Sequence, residues 1–103
     1  WGSGMPKREY LFADDLVEAC LFLLDYDEDY TPVNIGSQEE VSIRKLAEVI
    51  SEEVGYQGDI VFATSKPDGM PLKKVVTSKL DALGWKFSTP FRARLNKVYQ
   101  WLL

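Results

Sequence analysis

The chain has 103 residues, 46% of them hydrophobic, and a formal charge of −4 with a pI of about 4.8, which is enough material for one small domain. The acidic balance argues against nucleic acid as a partner, and no apolar run is long enough to span a bilayer. The absence of histidine removes the commonest general base, the Ser-His and Cys-His nucleophile pairs and most zinc sites.

The first ten residues, WGSGMPKREY, offer a large aromatic and an arginine on a Gly/Ser support, tools for gripping a base or a phosphate. Trp1 can wall in a nucleobase or sugar. The Arg8 guanidinium suits a pyrophosphate in bidentate fashion, against the plainer reading of an ion pair with Glu9 or Asp14. Tyr10 to Ala13 is expected to be a short extended piece leading into a first helix capped by Asp14 or Asp15, with Glu18 completing a capping box. On that helix Leu16, Ala19, Cys20, Leu23 and Leu24 share one stripe, expected to be buried, with Cys20 an inert packed thiol. The acid-rich run Asp25 to Asp29 ends it as a solvated loop.

Val33 to Ile35 is a short strand candidate closed by Gly36 and Ser37, and Asn34 could cap there or bond a ligand. Ser42 then caps an amphipathic helix whose Ile43, Leu46, Ala47, Ile50 and Val54 face inward until Gly55 stops it. Asp59 to Ala63, with Ile60, Val61 and Phe62 in sequence, reads as a buried strand.

From its end leaves Ser65 to Lys74, SKPDGMPLKK, whose two prolines and glycine forbid a helix or a central strand and make a stiff loop. Asp68 before Gly69 is explained as turn chemistry, and Lys66 and Lys73 as solvated lysines that could add positive potential for phosphates. Ser78 with Asp81 predicts a capping box for a short helix stopped by Gly84, with Trp85 folding back on it. Thr89 and Pro90 open a final helix carrying Phe91, Leu95, Val98 and Leu102 on one face, widened by Tyr99 and Trp101. Residues 1 to 58 hold 4 basic and 13 acidic side chains and residues 59 to 103 hold 8 and 3, so the second half is the one able to attract an anion.

The WGSGxPxRE block, the DDL at Asp14 to Leu16, VNIGS at Val33 to Ser37, SKPDGxP and LGW at Leu83 to Trp85 together resemble the C-terminal part of the GDP-L-fucose synthases, a family of extended short-chain dehydrogenases/reductases. Leu72, where that family usually has a basic residue, and Val76, where it has an aspartate, depart from the pattern. The resemblance implies an α/β fold: a small substrate-binding lobe of about four helices with short strands, one domain over residues 1–103, its Rossmann domain lying outside the chain. It implies NADPH bound by that absent domain and none by this lobe. Trp1, Arg8 and Asp68 would contact a GDP-sugar, with no catalytic residue here.

The sequence has no glycine-rich dinucleotide fingerprint and no Tyr-x-x-x-Lys pair, as expected of the C-terminal fragment of a longer enzyme. Expected partners are the GDP-sugar, the rest of the enzyme and a second copy through the final helix, in the cytoplasm, since Cys20 cannot close an internal disulfide and no signal peptide opens the chain. Two other readings stand beside this one: a related NAD(P)-dependent nucleotide-sugar epimerase or dehydratase, and a non-catalytic binding or dimerisation module.

Overall fold

The computed structural model describes residues 1–26 and 31–103. Among these are four helices and three short strands: β1 (Lys7–Glu9), α1 (Ala13–Tyr26), β2 (Glu40–Ser42), α2 (Ile43–Val54), β3 (Leu72–Lys73), α3 (Ser78–Ala82) and α4 (Phe91–Leu102). β1 is the central strand, antiparallel to β2 and parallel to β3. The expected α/β lobe of four helices and short strands is thus observed, although the strands are not where propensity puts them.

Local chemistry explains the elements that came out as expected. Ser42 is the N-cap of α2 and its Oγ accepts the Lys45 N–H at 3.1 Å, while Gly55, at φ +70°, closes the helix in the left-handed conformation that favours glycine. Pro90 stands at the N-cap of α4. Gly84, at φ +94°, turns the chain after α3 so that the Trp85 N–H reaches the Leu80 carbonyl at 3.3 Å.

Other expectations are corrected. Val33–Ile35 and Ile60–Phe62 are outside any strand, and the Ala63 carbonyl instead accepts the Gly2 N–H at 3.0 Å. The extended stretch before α1 is Lys7–Glu9 rather than Tyr10–Ala13. The helix begins at Ala13, so Asp14 and Asp15 lie inside its first turn, where carboxylates favour the positive end of the helix dipole, instead of capping it. Thr77, not Ser78, occupies the N-cap of α3, and its Oγ1 donates to Asp81 Oδ2 at 3.3 Å.

Within the proline loop, Leu72 and Lys73 form the edge strand β3. Asp25 and Tyr26 belong to the last turn of α1, and the rest of the acidic run, Asp27 to Asp29, lies outside the described residues. Gln38 holds φ +59°, and its Nε2 donates to Thr77 Oγ1 at 2.6 Å and Asp81 Oδ1 at 2.7 Å, tying the segment before β2 to α3.

The core is small. Among the described residues the buried apolar side chains are Pro6, Ala19, Val41, Val49 and Leu80. The radius of gyration is 16.3 Å, against about 13 Å for a compact domain of this length. Val49, rather than Ile50 or Val54, is the buried residue of α2, and this helix packs on α4 beside the Arg92–Glu52 ion pair at 2.8 Å.

On α4 the buried residue is Arg94, only 5% exposed. Its Nη1 donates to the Tyr10 carbonyl at 3.1 Å, its Nη2 pairs with Glu39, and its Nε stands 4.0 Å from Asp15 Oδ2, past hydrogen-bond reach. Thr89 Oγ1 donates to the other Asp15 oxygen at 3.4 Å. Replacing Arg94 by Ala strands buried Asp15 without its cation and should cost about 3 kcal/mol, the low end for a broken buried pair because Glu39 stays half exposed to water. Urea denaturation should show a smaller loss for the double variant Arg94→Met with Asp15→Leu than for Arg94→Ala alone.

Candidate functional site

The segment Trp1–Glu9 and the proline loop are fastened together at three points. The Ser3 N–H donates to Asp68 Oδ1 at 2.5 Å, and Ser3 Oγ lies 2.9 Å from each carboxylate oxygen. The Lys7 N–H donates to the Pro71 carbonyl at 2.8 Å. Arg8 Nη1 donates to the carbonyls of Lys7 at 2.7 Å and Met70 at 2.8 Å. Arg8 is therefore not spent on Glu9 or Asp14.

The opening tetrapeptide needs its glycines. Gly2 and Gly4 hold φ +75° and +77°, and a Cβ on either would run into the Asp68 carboxylate or the Phe62 ring. Arg44, in the first turn of α2, supports this loop from the other side: Nη2 donates to the Ser3 carbonyl at 2.9 Å, its own N–H to the Gly4 carbonyl at 2.8 Å, and the guanidinium lies 3.9 Å from the Phe62 ring centre. So held, Trp1 stays 82% exposed, with Lys66 Nζ 5.3 Å from its ring centre.

Trp1, Lys66 and Asp68 therefore form one group, and Arg8 and Lys73 form another, as facing residues of the β1–β3 ladder. This second pair lines a cleft of about 440 Å³ whose walls also include Glu9, Tyr10, Gly36 and Lys74. Lys74 Nζ bonds Glu40 Oε1 at 2.7 Å, and Lys7 lies 3.8 Å from the other oxygen. Lys74 chiefly, and Lys7 after it, hold the Glu40 carboxyl below the usual carboxylate range, and Glu40 raises the Lys74 ammonium in return. Among the described residues Lys73 has no such acid partner, which leaves Arg8 and Lys73 as the cations available to an anion in the cleft.

Glu9 is tied into the wall, its Oε2 accepting the Val75 N–H at 3.2 Å. Gly36 is buried against Val75 and Glu9, where a side chain has no room. Asn34 is used structurally, donating from Nδ2 to the Val76 carbonyl at 3.1 Å. Sequence reading missed Ser3, Glu9 and Arg44; a serine between two glycines and an arginine two residues past a helix cap were the only local signals. Cys20, expected to be packed, is exposed.

The fold is that of the C-terminal part of extended short-chain dehydrogenase/reductase-like proteins, and residues 1–36 match the NAD dependent epimerase/dehydratase family. A crystal structure of a GDP-L-fucose synthetase from Naegleria fowleri bound to NADP superposes with a TM-score of 0.90 at 29% identity, over 98% of this chain and 32% of that one. GDP-L-fucose synthase 1 of Arabidopsis thaliana is 48% identical over 103 residues, 100% of this chain and 32% of its own. The GDP-L-fucose synthase of Sinorhizobium fredii (strain NBRC 101917 / NGR234) is 43% identical over 100 residues, 97% of this chain and 32% of its own. The chain is a homologue of the C-terminal part of GDP-L-fucose synthases and spans about a third of the length of these relatives.

Ser3 makes a pH prediction possible. Its backbone N–H first, and its hydroxyl second, hold the Asp68 carboxyl below the ordinary value. A lowered carboxyl stabilises the ionised, tethered loop at every pH above the ordinary carboxylate range and loses that contribution as pH falls through the lowered value. The Ser3 amide resonance should therefore titrate with a midpoint below that of an unstructured aspartate, and Ser3→Ala should bring the Asp68 midpoint up. Because alanine keeps the backbone N–H, an unchanged Asp68 midpoint in that variant would refute the hydroxyl's share of the tether.

Proposed function

We propose that residues 1–103 form the substrate-binding lobe of a cytoplasmic NADPH-dependent epimerase/reductase that converts GDP-4-keto-6-deoxy-D-mannose to GDP-L-fucose. The observation that carries this reading is the ladder pairing of Arg8 with Lys73 at the wall of a cleft of about 440 Å³, while their neighbour Lys74 is already neutralised. Two cations side by side match the two charges of a diphosphate, and the planar guanidinium adds geometric choice that an ammonium lacks.

In this reading Trp1 supplies a flat apolar wall for the base or sugar, Lys66 adds positive potential beside it, and Asp68 accepts hydroxyls of the ligand. Ser3 has two donors for Asp68, its backbone N–H and one hydroxyl proton placed equally near both oxygens, which leaves the carboxylate acceptor capacity to spare. The lobe contributes orientation, holding the sugar where reaction occurs, and makes no bond itself. In this reading the lobe leaves the dinucleotide to the rest of the enzyme, and Gly2, Gly4 and Gly36 serve close packing against Asp68, Phe62 and Val75. Hydride supply accordingly belongs to NADPH held elsewhere in the enzyme.

Leu72 and Val76 favour one second reading, a related enzyme acting on a different nucleotide sugar, because Leu72 lies in β3 and Val76 three residues past its end. Calorimetric titration with GDP tests the proposal. Arg8→Ala and Lys73→Ala should each weaken GDP binding roughly ten- to a hundredfold, the range for a lost charge-assisted hydrogen bond, whereas Lys45→Ala on the outer face of α2 should not. GDP affinity indifferent to Arg8 would sink the reading, and UDP binding as tightly as GDP would favour the second one.

A further inference from the structure

The two halves of the site are anchored in different ways. Arg8 and Lys73 face each other across the β1–β3 ladder, and the Lys7 N–H ties the same strand to the Pro71 carbonyl. Trp1 and Asp68 lie in loops outside any strand, and the start of α2 is what fixes them. A helix leaves its first N–H groups without partners inside the helix, and here the opening segment of the chain fills them. The Ile43 N–H donates to the Pro6 carbonyl at 3.0 Å and the Arg44 N–H to the Gly4 carbonyl at 2.8 Å, while Ser42 Oγ takes the Lys45 N–H.

Arg44 adds its side chain to this anchorage. Nη2 donates to the Ser3 carbonyl at 2.9 Å and the guanidinium lies 3.9 Å from the Phe62 ring centre. Among the described residues it pairs with no acid, so both contacts serve the loop. Phe62 in turn closes on Gly4 and leaves no room there for a Cβ. The neighbouring Ala63 carbonyl accepts the N–H groups of both Gly2 and Lys66, each at 3.0 Å. Ser3 continues to Asp68 through its N–H and hydroxyl, and Gly2 leads to Trp1. Trp1 and Asp68 thus each stand one step from a residue fastened to Arg44 or to Phe62–Ala63. Arg44 itself is exposed, so its removal loosens the loop without opening the core.

From this geometry we infer that Arg44 is a positioning residue for the Trp1 and Asp68 half of the site, and that it governs recognition of the base or sugar of the ligand independently of the diphosphate cations Arg8 and Lys73. The ligand named here rests on the proposal that the lobe binds a GDP-sugar; the anchorage does not. A planar guanidinium donates in its plane and stacks through its face at once, which an ammonium cannot do. Arg44→Lys should therefore behave as Arg44→Ala does.

Two measurements on the intact protein decide the matter. Without ligand, amide hydrogen exchange followed by NMR should be at least about tenfold faster at Gly2 and Ser3 in both variants, with the Lys7 amide unchanged. Unchanged exchange at Gly2 and Ser3 would overturn the inference whatever the ligand. Acceleration at Lys7 as well would make Arg44 a residue of the fold alone, and full protection in Arg44→Lys would reduce its part to charge; either result overturns the inference. In calorimetric titration with GDP-L-fucose, Arg44→Ala should weaken binding about tenfold, and by less than about twofold once Trp1 and Asp68 are both alanine, because groups that act together are not additive. Its effect should add to that of Lys73→Ala. Binding indifferent to Arg44 but weakened by Arg8→Ala would sink the positioning role alone. Binding indifferent to Arg8 and Lys73 would sink the ligand assignment and leave the exchange rates to decide the anchorage.

Discussion

The guanidinium of Arg94 is the joint on which the lobe turns. It reaches from α4 to the Tyr10 carbonyl just past β1, to Glu39 just before β2, and towards Asp15 inside α1, so four parts of the chain meet around one buried cation. Burying a charge is costly unless acids and carbonyls surround it, and the observed arrangement of these four parts supplies Arg94 with a carbonyl and two acids. Tyr10 and Glu39 flank the ends of adjacent strands, and fixing them fixes how β1 lies against β2. β1 carries Arg8, whose place at the cleft therefore depends on a contact made by a different helix.

Arg94 carries this duty because little apolar packing exists to share it. A lobe with five buried apolar side chains among its described residues cannot rely on shape complementarity to choose its arrangement. Polar fasteners do the choosing: Gln38 between Thr77 and Asp81, Ser3 on Asp68, Arg44 on the Ser3 and Gly4 backbone, Lys74 on Glu40. Most of them join residues more than thirty positions apart, so they specify tertiary contacts rather than local turns. The same fasteners present the site, since the glycine-lined loop bearing Trp1 and the proline loop bearing Lys66 and Lys73 are held by the very bonds that close the fold.

What could be read from the sequence was whatever local chemistry decides. Ser42, Gly55, Gly84 and Pro90 mark helix ends through contacts within a few residues, and they stand where expected. Strands were misplaced because β-propensity measures fit to a half-buried pleated surface. Ile60–Phe62 has that composition without a ladder partner, while the central strand is the charged triplet Lys-Arg-Glu, chosen by its neighbours on both sides.

The periodicity of α1 was ambiguous because a helix apolar on two sides has more than one consistent stripe. Arg94 was invisible because an arginine on a helix ordinarily belongs to the surface. Of the candidate site residues, Trp1 and Arg8 stood out by residue chemistry, Lys66 and Lys73 by charge, and Asp68 chiefly through its motif. That Asp68 meets Ser3, 65 positions away, is a product of the fold.

The molecule measures 50 × 32 × 16 Å, so across its thin dimension it is about one helix and one strand deep. Such a plate has scarcely any interior beyond the reach of its two broad faces. Substitutions that a thicker domain would absorb in its interior fall here at or just beneath one of the two broad faces. A change of side-chain volume at such a position can be relieved outward into solvent, which a closed core does not allow.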